Sequence, residues 1–337
     1  MLTSMLRPFW KDFPFTAEER ERVYGKQVRH YALVDSPEQA DIAVLPMHWV
    51  YYYQTGTLAQ AIGFVESVKK LGKPVITENG GDYSVPVPVD GVYLFQANCY
   101  QSRRRHLEYA LPVFIRDLLQ ELGDNEIAIR PWQQIPVVGF CGQAHDPLWR
   151  KAVKPFSIAQ RNLKFHFKVS NYEPHALYPP TFLRSRALSL LERRGEVKTN
   201  FVKRTYYRGG NEKSKQQLRR EFLENIRNTD YTLCVRGTGN FSQRLYEVLA
   251  MGRIPIFIDT DSILPYEGVI DWKQYCVWVE PHELDNLPQK VIDFHKQFDG
   301  RTFAGLQRRC RKLWEERLSF SGFFSHFGEH LRITRGH

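Results

Sequence analysis

Short apolar runs and amphipathic stretches alternate along the first third of the chain. Residues 41–46 (Asp41-Ile42-Ala43-Val44-Leu45-Pro46) read as a buried strand stopped by a proline. Residues 58–71 carry a helical pattern closed by Gly72. Residues 73–77 are a second strand, followed by a loop holding Gly80, Gly81 and Asp82, and residues 91–95 are a third. Residues 107–122 read as a helix interrupted by Pro112 and stopped by Gly123, and residues 124–134 are polar and irregular. The pattern then restarts. Strands are expected at 135–140, 162–169, 231–235 and 254–258, helices at 214–226 and 240–251, and helical structure from about 284 onward. No element is assigned to 170–205. Strand–helix–strand alternation predicts parallel sheets covered by helices, hence an α/β protein of two Rossmann-like domains, 1–130 and 131–337.

Composition narrows this picture. Hydrophobic residues make up 42% of the 337-residue chain, enough to fill two cores. The formal charge of +10 favours anionic partners without choosing among nucleic acid, membrane and phosphorylated small molecules. The basic residues fall in bursts at 103–105, 213–220 and 308–312, the pattern of solvated helix faces. Five cysteines (Cys99, Cys141, Cys234, Cys276, Cys310) lie far apart in mostly apolar surroundings, which predicts buried free thiols and no cysteine zinc site. No run approaches the roughly 20 apolar residues of a membrane span, and the N-terminal residues lack a signal-peptide core. The expectation is a cytoplasmic protein, although a lumenal enzyme trimmed of its anchor has the same pattern. Phe320, Phe323, Phe324 and Phe327 recur at helical spacing, as a core stripe or as a peripheral membrane contact.

Candidate chemistry concentrates at residues 231–252. A buried strand runs into Arg236-Gly237-Thr238-Gly239 and then a helix, with Asn240 placed to cap it and Gln243 as capping-box partner. Free N–H groups at a helix start attract phosphate oxygens, and glycines let the backbone approach them. Arg236 offers a guanidinium to a diphosphate, and Glu247, one turn into the helix, can accept ribose hydroxyls. The plain structural alternative is a surface ion pair between Arg244 and Glu247.

At this point the chain resembles the exostosin family of inverting glycosyltransferases. The resemblance rests on Cys234-Val235-Arg236-Gly237, Ser242-Gln243-Arg244-Leu245-Tyr246-Glu247, Gly252-Arg253-Ile254-Pro255-Ile256, Leu264-Pro265-Tyr266 and Ile270-Asp271-Trp272. Weaker matches are Val138-Gly139-Phe140-Cys141-Gly142, Tyr207-Arg208-Gly209 and the 40–46 strand. Asn79-Gly80-Gly81-Asp82 stands where the family often carries glycine–arginine–aspartate–histidine, with Gly81 replacing the basic residue and Tyr83 the histidine. The resemblance implies a GT-B fold, two facing Rossmann-like domains with a C-terminal helix returning toward the first. It implies a nucleotide-sugar co-substrate (UDP-sugar favoured, GDP-sugar as alternative), a glycan or other hydroxyl acceptor, inversion, and no required cofactor or metal. Donor-binding residues are then Gly142, Arg208, Arg236, Gly237, Ser242, Arg244 and Glu247.

Inversion requires a general base. Asp82 is the first candidate, with Glu78 and His48 as others near strand ends. His145 is placed to face the cleft, and the aromatic run at 49–53, including Tyr51, to line an acceptor groove or pack an interface. Asp259-Thr260-Asp261 spells the metal-binding D-x-D, but its place after a strand favours a turn. The competing functions are a basic nucleic-acid-binding protein and an inactive GT-B partner subunit.

Overall fold

The computed structural model describes residues 2–10, 16–144, 148–193, 195–204 and 214–332. The first half holds a parallel sheet of four strands, β1 (Ala43–Val44), β2 (Val75–Asn79), β3 (Val92–Gln96) and β4 (Glu108–Ala110), in the order β1-β2-β3-β4. Its helices are α1 (Ala17–Tyr24), α2 (Trp49–Gln54), α3 (Leu58–Lys70) and α4 (Leu118–Leu122). Every residue of β2 is buried, as parallel strands covered on both faces require. A capping box between Thr16 and Glu19 starts α1.

The second half holds β5 (Val137–Gln143), β6 (Lys198–Arg204), β7 (Tyr231–Cys234), β8 (Ile254–Ile258) and β9 (Val277–Val279), all parallel, in the order β6-β5-β7-β8-β9. Interleaved with and following them are α5 (Leu148–His166), α6 (Pro180–Arg193), α7 (Lys215–Arg227), α8 (Gln243–Ala250), α9 (Leu287–His295), α10 (Gly300–Leu313) and α11 (Phe320–Arg332). The chain leaves β5 toward β6 on one side and returns toward β7 on the other. Such a reversal opens a crevice at the carboxyl ends of the two central strands, where doubly wound folds bind ligands. Residues 123–136 contain neither helix nor strand and join the halves. They dock on the second, with Arg130 paired to Asp230 and Trp132 stacked on His295.

Two expectations are corrected. Residues 107–122 are not one helix: Glu108–Ala110 join the sheet edge, and only Leu118–Leu122 are helical. Pro112 supplies no N–H to a helix through this region, and Asp117 caps the short one, accepting from Leu119 N at 3.1 Å. Residues 162–169 end a helix rather than form a strand, and His166 closes α5. The alternating Leu163, Phe165 and Phe167 imitate strand periodicity, yet Leu163 and Phe167 face solvent. The aromatic run at 49–53 is helix α2, and its Trp49 is fully buried, its indole N–H donating to Pro86 O at 3.1 Å. The stretch 170–205 supplies α6 and β6.

The C-terminal helix returns to the first half. Phe323 and Phe327 meet Phe95 on β3, and Phe320 stacks on Phe114 at 4.0 Å between centroids. Phe323, Phe324 and Phe327 are buried, so this stripe is core and not a membrane-facing surface. No helix among the described residues is long and apolar enough to cross a membrane. All five cysteines are free and buried.

Phe323 touches aromatic rings from both halves. Phe323→Ala is expected to cost about 3–5 kcal/mol of unfolding free energy. Urea denaturation measures it, and a loss under about 1 kcal/mol would show that α11 is only loosely attached.

Candidate functional site

The carboxyl ends of β5 and β7 are bridged by arginines. Arg244, near the start of α8, donates from Nη2 to Cys141 O at 2.8 Å and from Nη1 to Leu233 O at 3.5 Å. Its guanidinium lies 4.5 Å from the centre of the Phe140 ring. Gly142 permits this approach: its φ is 152°, and a Cβ there would stand 2.8 Å from Arg244 Nη2. Arg236, just beyond β7, is 4% exposed. Its Nη2 donates to Tyr178 O at 2.6 Å, and its Nη1 to the carbonyls of Gly237 and Thr238 at 3.3 Å. Burial pulls its pKa below the usual arginine range.

Among the described residues, no carboxylate pairs with Arg236 or Arg244, and the Nε of each is buried without a partner. Burying a cation without a counter-charge costs several kcal/mol, and carbonyl acceptors offset part of that cost here, as they do at the structural Arg253. Arg184 on α6 joins them, donating to Gln143 O at 2.7 Å and Arg236 O at 3.2 Å.

The glycine loop between β7 and α8 faces the first half. Gly237 N closes it on Phe241 O at 2.9 Å. Gly239 N donates to Asp82 Oδ1 at 3.3 Å, and a Cβ on Gly239 would lie 3.2 Å from the Asp82 Cα. Asp82 and the glycine loop, far apart in sequence, are therefore in contact. Asn240 does not cap the helix. Its N–H donates to Asn98 Oδ1 at 2.6 Å and its side-chain amide to Cys99 O at 2.8 Å and Asp261 O at 3.1 Å. With that amide spent across the interface, α8 starts at Gln243 behind Ser242, whose hydroxyl makes no capping bond.

Glu247 is 5% exposed and does not pair with Arg244. Its Oε1 accepts from Arg219 Nη1 at 3.1 Å and Gln243 Nε2 at 3.1 Å. The D-x-D residues build a turn. Asp259 accepts from Ser262 N at 2.8 Å, and Asp261, at φ 66°, accepts from the N–H and hydroxyl of Ser102.

His48 and Glu78 sit elsewhere. Glu78 is fully buried and accepts from Ser4 N at 2.9 Å and Met5 N at 3.0 Å, anchoring the N-terminal segment. Desolvation raises its pKa, and His48 Nδ1 stands 3.9 Å away. Tyr51 is partly exposed on α2, edge-on to Tyr52. His145 and Arg208 lie outside the described residues.

Several site residues had no signal strong enough to single them out. Arg184 falls in the unassigned stretch, Arg219 looked like a solvated helix charge, and Asn98 lies in an unremarked loop. His175 is buried, its Nδ1 3.1 Å from Thr238 O and its ring 4.7 Å from Tyr83. Burial and the nearby Arg236 push its pKa down to about 4. Each basic burst has paired members: Arg104 with Glu267, Arg105 with Glu173, Arg219 with Glu121, Arg311 with Asp117.

Two parallel α/β halves, a glycine loop at the switch point and a returning C-terminal helix are the layout of a GT-B protein. Residues 182–292 match the Exostosin GT47 domain. Exostosin-1 of Drosophila melanogaster is 30% identical over 118 residues, covering 33% of this chain and 15% of that protein. A probable beta-1,4-xylosyltransferase of Arabidopsis thaliana is 32% identical over 78 residues, covering 21% and 19%. Each match spans under a fifth of the relative's length. A solved glycosyltransferase from Rickettsia africae aligns over 96% of this chain and 85% of that one, with TM-score 0.40 and 11% identity. The second half is thus similar to exostosin-type glycosyltransferases over residues 182–292.

Two histidines give the fold a pH dependence. His48 and His175 have folded pKa values of about 4, against about 6.5 for free imidazole. Between those values the unfolded chain binds the protons and the folded chain does not, so stability falls as pH drops from about 6.5 toward 4. His175→Gln is expected to remove its share of that slope. Denaturation midpoints across this window test it, and a variant profile as steep as the parent's would exclude the contribution.

Proposed function

We propose that the chain transfers a sugar, with inversion, from a nucleotide-sugar to the hydroxyl of a glycan or other acceptor. A UDP-sugar is the favoured donor, a GDP-sugar the alternative, and no metal is required. The observation that carries this reading is the buried guanidinium of Arg236 beside the half-buried one of Arg244, neither with a carboxylate partner among the described residues at the switch-point crevice. A diphosphate matches them in charge and hydrogen-bonding capacity. The match to the exostosin domain covers the same residues, and the xylosyltransferase relative makes a pentose one donor sugar to test.

The acceptor oxygen attacks the anomeric carbon on the face opposite the diphosphate. The new C–O bond forms as the sugar–phosphate bond breaks, its electron pair leaving on the diphosphate. Asp82, held against the donor loop by Gly239 N–H, takes the acceptor proton. Arg236 and the amides at the start of α8 stabilise the charge growing on the leaving group, Arg244 orders the crevice, and Glu247 accepts the ribose hydroxyls. Neither alternative has comparable support: each basic burst has ion-paired members, which weakens a nucleic-acid surface, and an inactive subunit would bind donor without turnover.

Arg236→Ala is expected to lower kcat/KM by about 10²–10³, and Asp82→Asn to lower kcat while leaving donor affinity within about twofold. A thermal-shift screen of UDP, GDP and their sugars identifies the donor first, and proton NMR of the product reads the anomeric configuration. Retention of configuration would exclude Asp82 as the base of a single displacement. Near-wild-type turnover by Arg236→Ala would remove the diphosphate site.

A further inference from the structure

Glu247 depends on a residue from another helix. Arg219 on α7 donates from Nε and Nη2 to the two oxygens of Glu121 on α4, at 2.9 and 3.0 Å. Its remaining terminal nitrogen, Nη1, donates to Glu247 Oε1 at 3.1 Å. The bidentate pair fixes the plane of the guanidinium, and a fixed plane fixes where Nη1 points. Gln243, one turn earlier on α8, donates to the same oxygen at 3.1 Å. Glu247 is 5% exposed, so the orientation of its carboxylate is decided by these two donors and not by water. Among the described residues, Oε2 has no protein donor.

We propose that Arg219 is a positioning residue for nucleotide recognition. By holding Oε1 it leaves Oε2 to accept from the ribose hydroxyls, and so sets a preference for ribonucleoside over 2′-deoxyribonucleoside diphosphates. The inference rests on the ribose-binding role of Glu247 proposed above. Its physical basis is that a carboxylate preorganised to accept a hydroxyl loses that bond with the deoxy ligand, whereas a carboxylate free to turn aside loses little. Glu121 takes part by immobilising Arg219. This acid belongs to the short helix that precedes the linker, so the first half of the chain reaches the donor site through one guanidinium.

The test uses whichever of UDP, GDP and ADP binds the whole protein tightest, together with its 2′-deoxy analogue, by calorimetry. The wild type is expected to prefer the ribonucleotide by about tenfold, one lost hydrogen bond to a charged acceptor. Arg219→Ala is expected to bring the two ligands within about twofold of each other, and Arg219→Lys, which keeps a point charge but loses the fork, to fall between. Glu247→Ala separates the ribose role from the positioning role. If the wild type shows no preference, or Glu247→Ala keeps it, the ribose role of Glu247 is wrong. If Glu247→Ala abolishes the preference while Arg219→Ala retains it, Glu247 stands and the positioning role of Arg219 is overturned. Should Arg219→Ala fail to unfold cooperatively, Glu121→Gln carries the test, because it loosens the guanidinium without emptying its place. The preference is then expected to fall at least threefold, and an unchanged ratio overturns the proposal.

Discussion

Arg244 joins three elements at the point where the second sheet reverses its winding. Its guanidinium binds carbonyls of β5 and β7 from the first turn of α8 and covers the Phe140 ring. Parallel strands at a switch point leave a crevice at their carboxyl ends, and the Arg244 guanidinium spans its floor. A planar group with several diverging donors reaches both strands at once, as an ammonium does not. The glycine at 142 follows from it, since a side chain there would collide with the guanidinium. So does the start of α8, whose N-terminal amides are carried to the same crevice that Arg236 lines.

The two halves meet through the loop this arrangement presents. Asp82, Asn98 and the Cys99 carbonyl bond the backbone and side chain at Gly239 and Asn240, and Asp261 reaches back to Ser102. The contacts are polar and few, next to the aromatic seam where α11 packs on Phe95 and Phe114. An apolar seam supplies most of the attachment, since its value scales with buried area. Directional hydrogen bonds add little net energy but fix the register of the loop against the first half. The glycine loop is thereby placed opposite an acidic side chain from the other half.

Much of the second half was legible because its strands are short apolar runs between glycines, and β5, β7 and β8 fall where periodicity puts them. The ordered motifs from Cys234 to Trp272 lie within the residues that match the exostosin domain and include most of the proposed donor residues. What was not legible has physical causes. β4 is three residues long and follows a proline-broken pattern that also suits a helix. The end of α5 exposes apolar residues, which removes the amphipathic signal. Asn240 has the local chemistry of a helix cap, and only the distant Asn98 and Cys99 redirect it. Arg184 and Arg219 matter through partners that are remote in sequence, a kind of information that no local pattern contains.

The same remoteness explains why the site spends arginines on carbonyls. Arg236 donates to Tyr178, Gly237 and Thr238, all neutral acceptors. A carboxylate in their place would compete with a diphosphate for the guanidinium and would have to be displaced on binding. A carbonyl satisfies donors without neutralising the charge, so the field at the crevice persists in the free protein. Folding has already met the desolvation cost of the cation, and a diphosphate bound as proposed would meet only its own. This is how preorganised electrostatics differ from an ordinary buried salt bridge. Arg253, equally buried and also bonded to carbonyls, shows that such bonding alone does not mark a site; what sets Arg236 apart is its place at the crevice, beside the glycine loop.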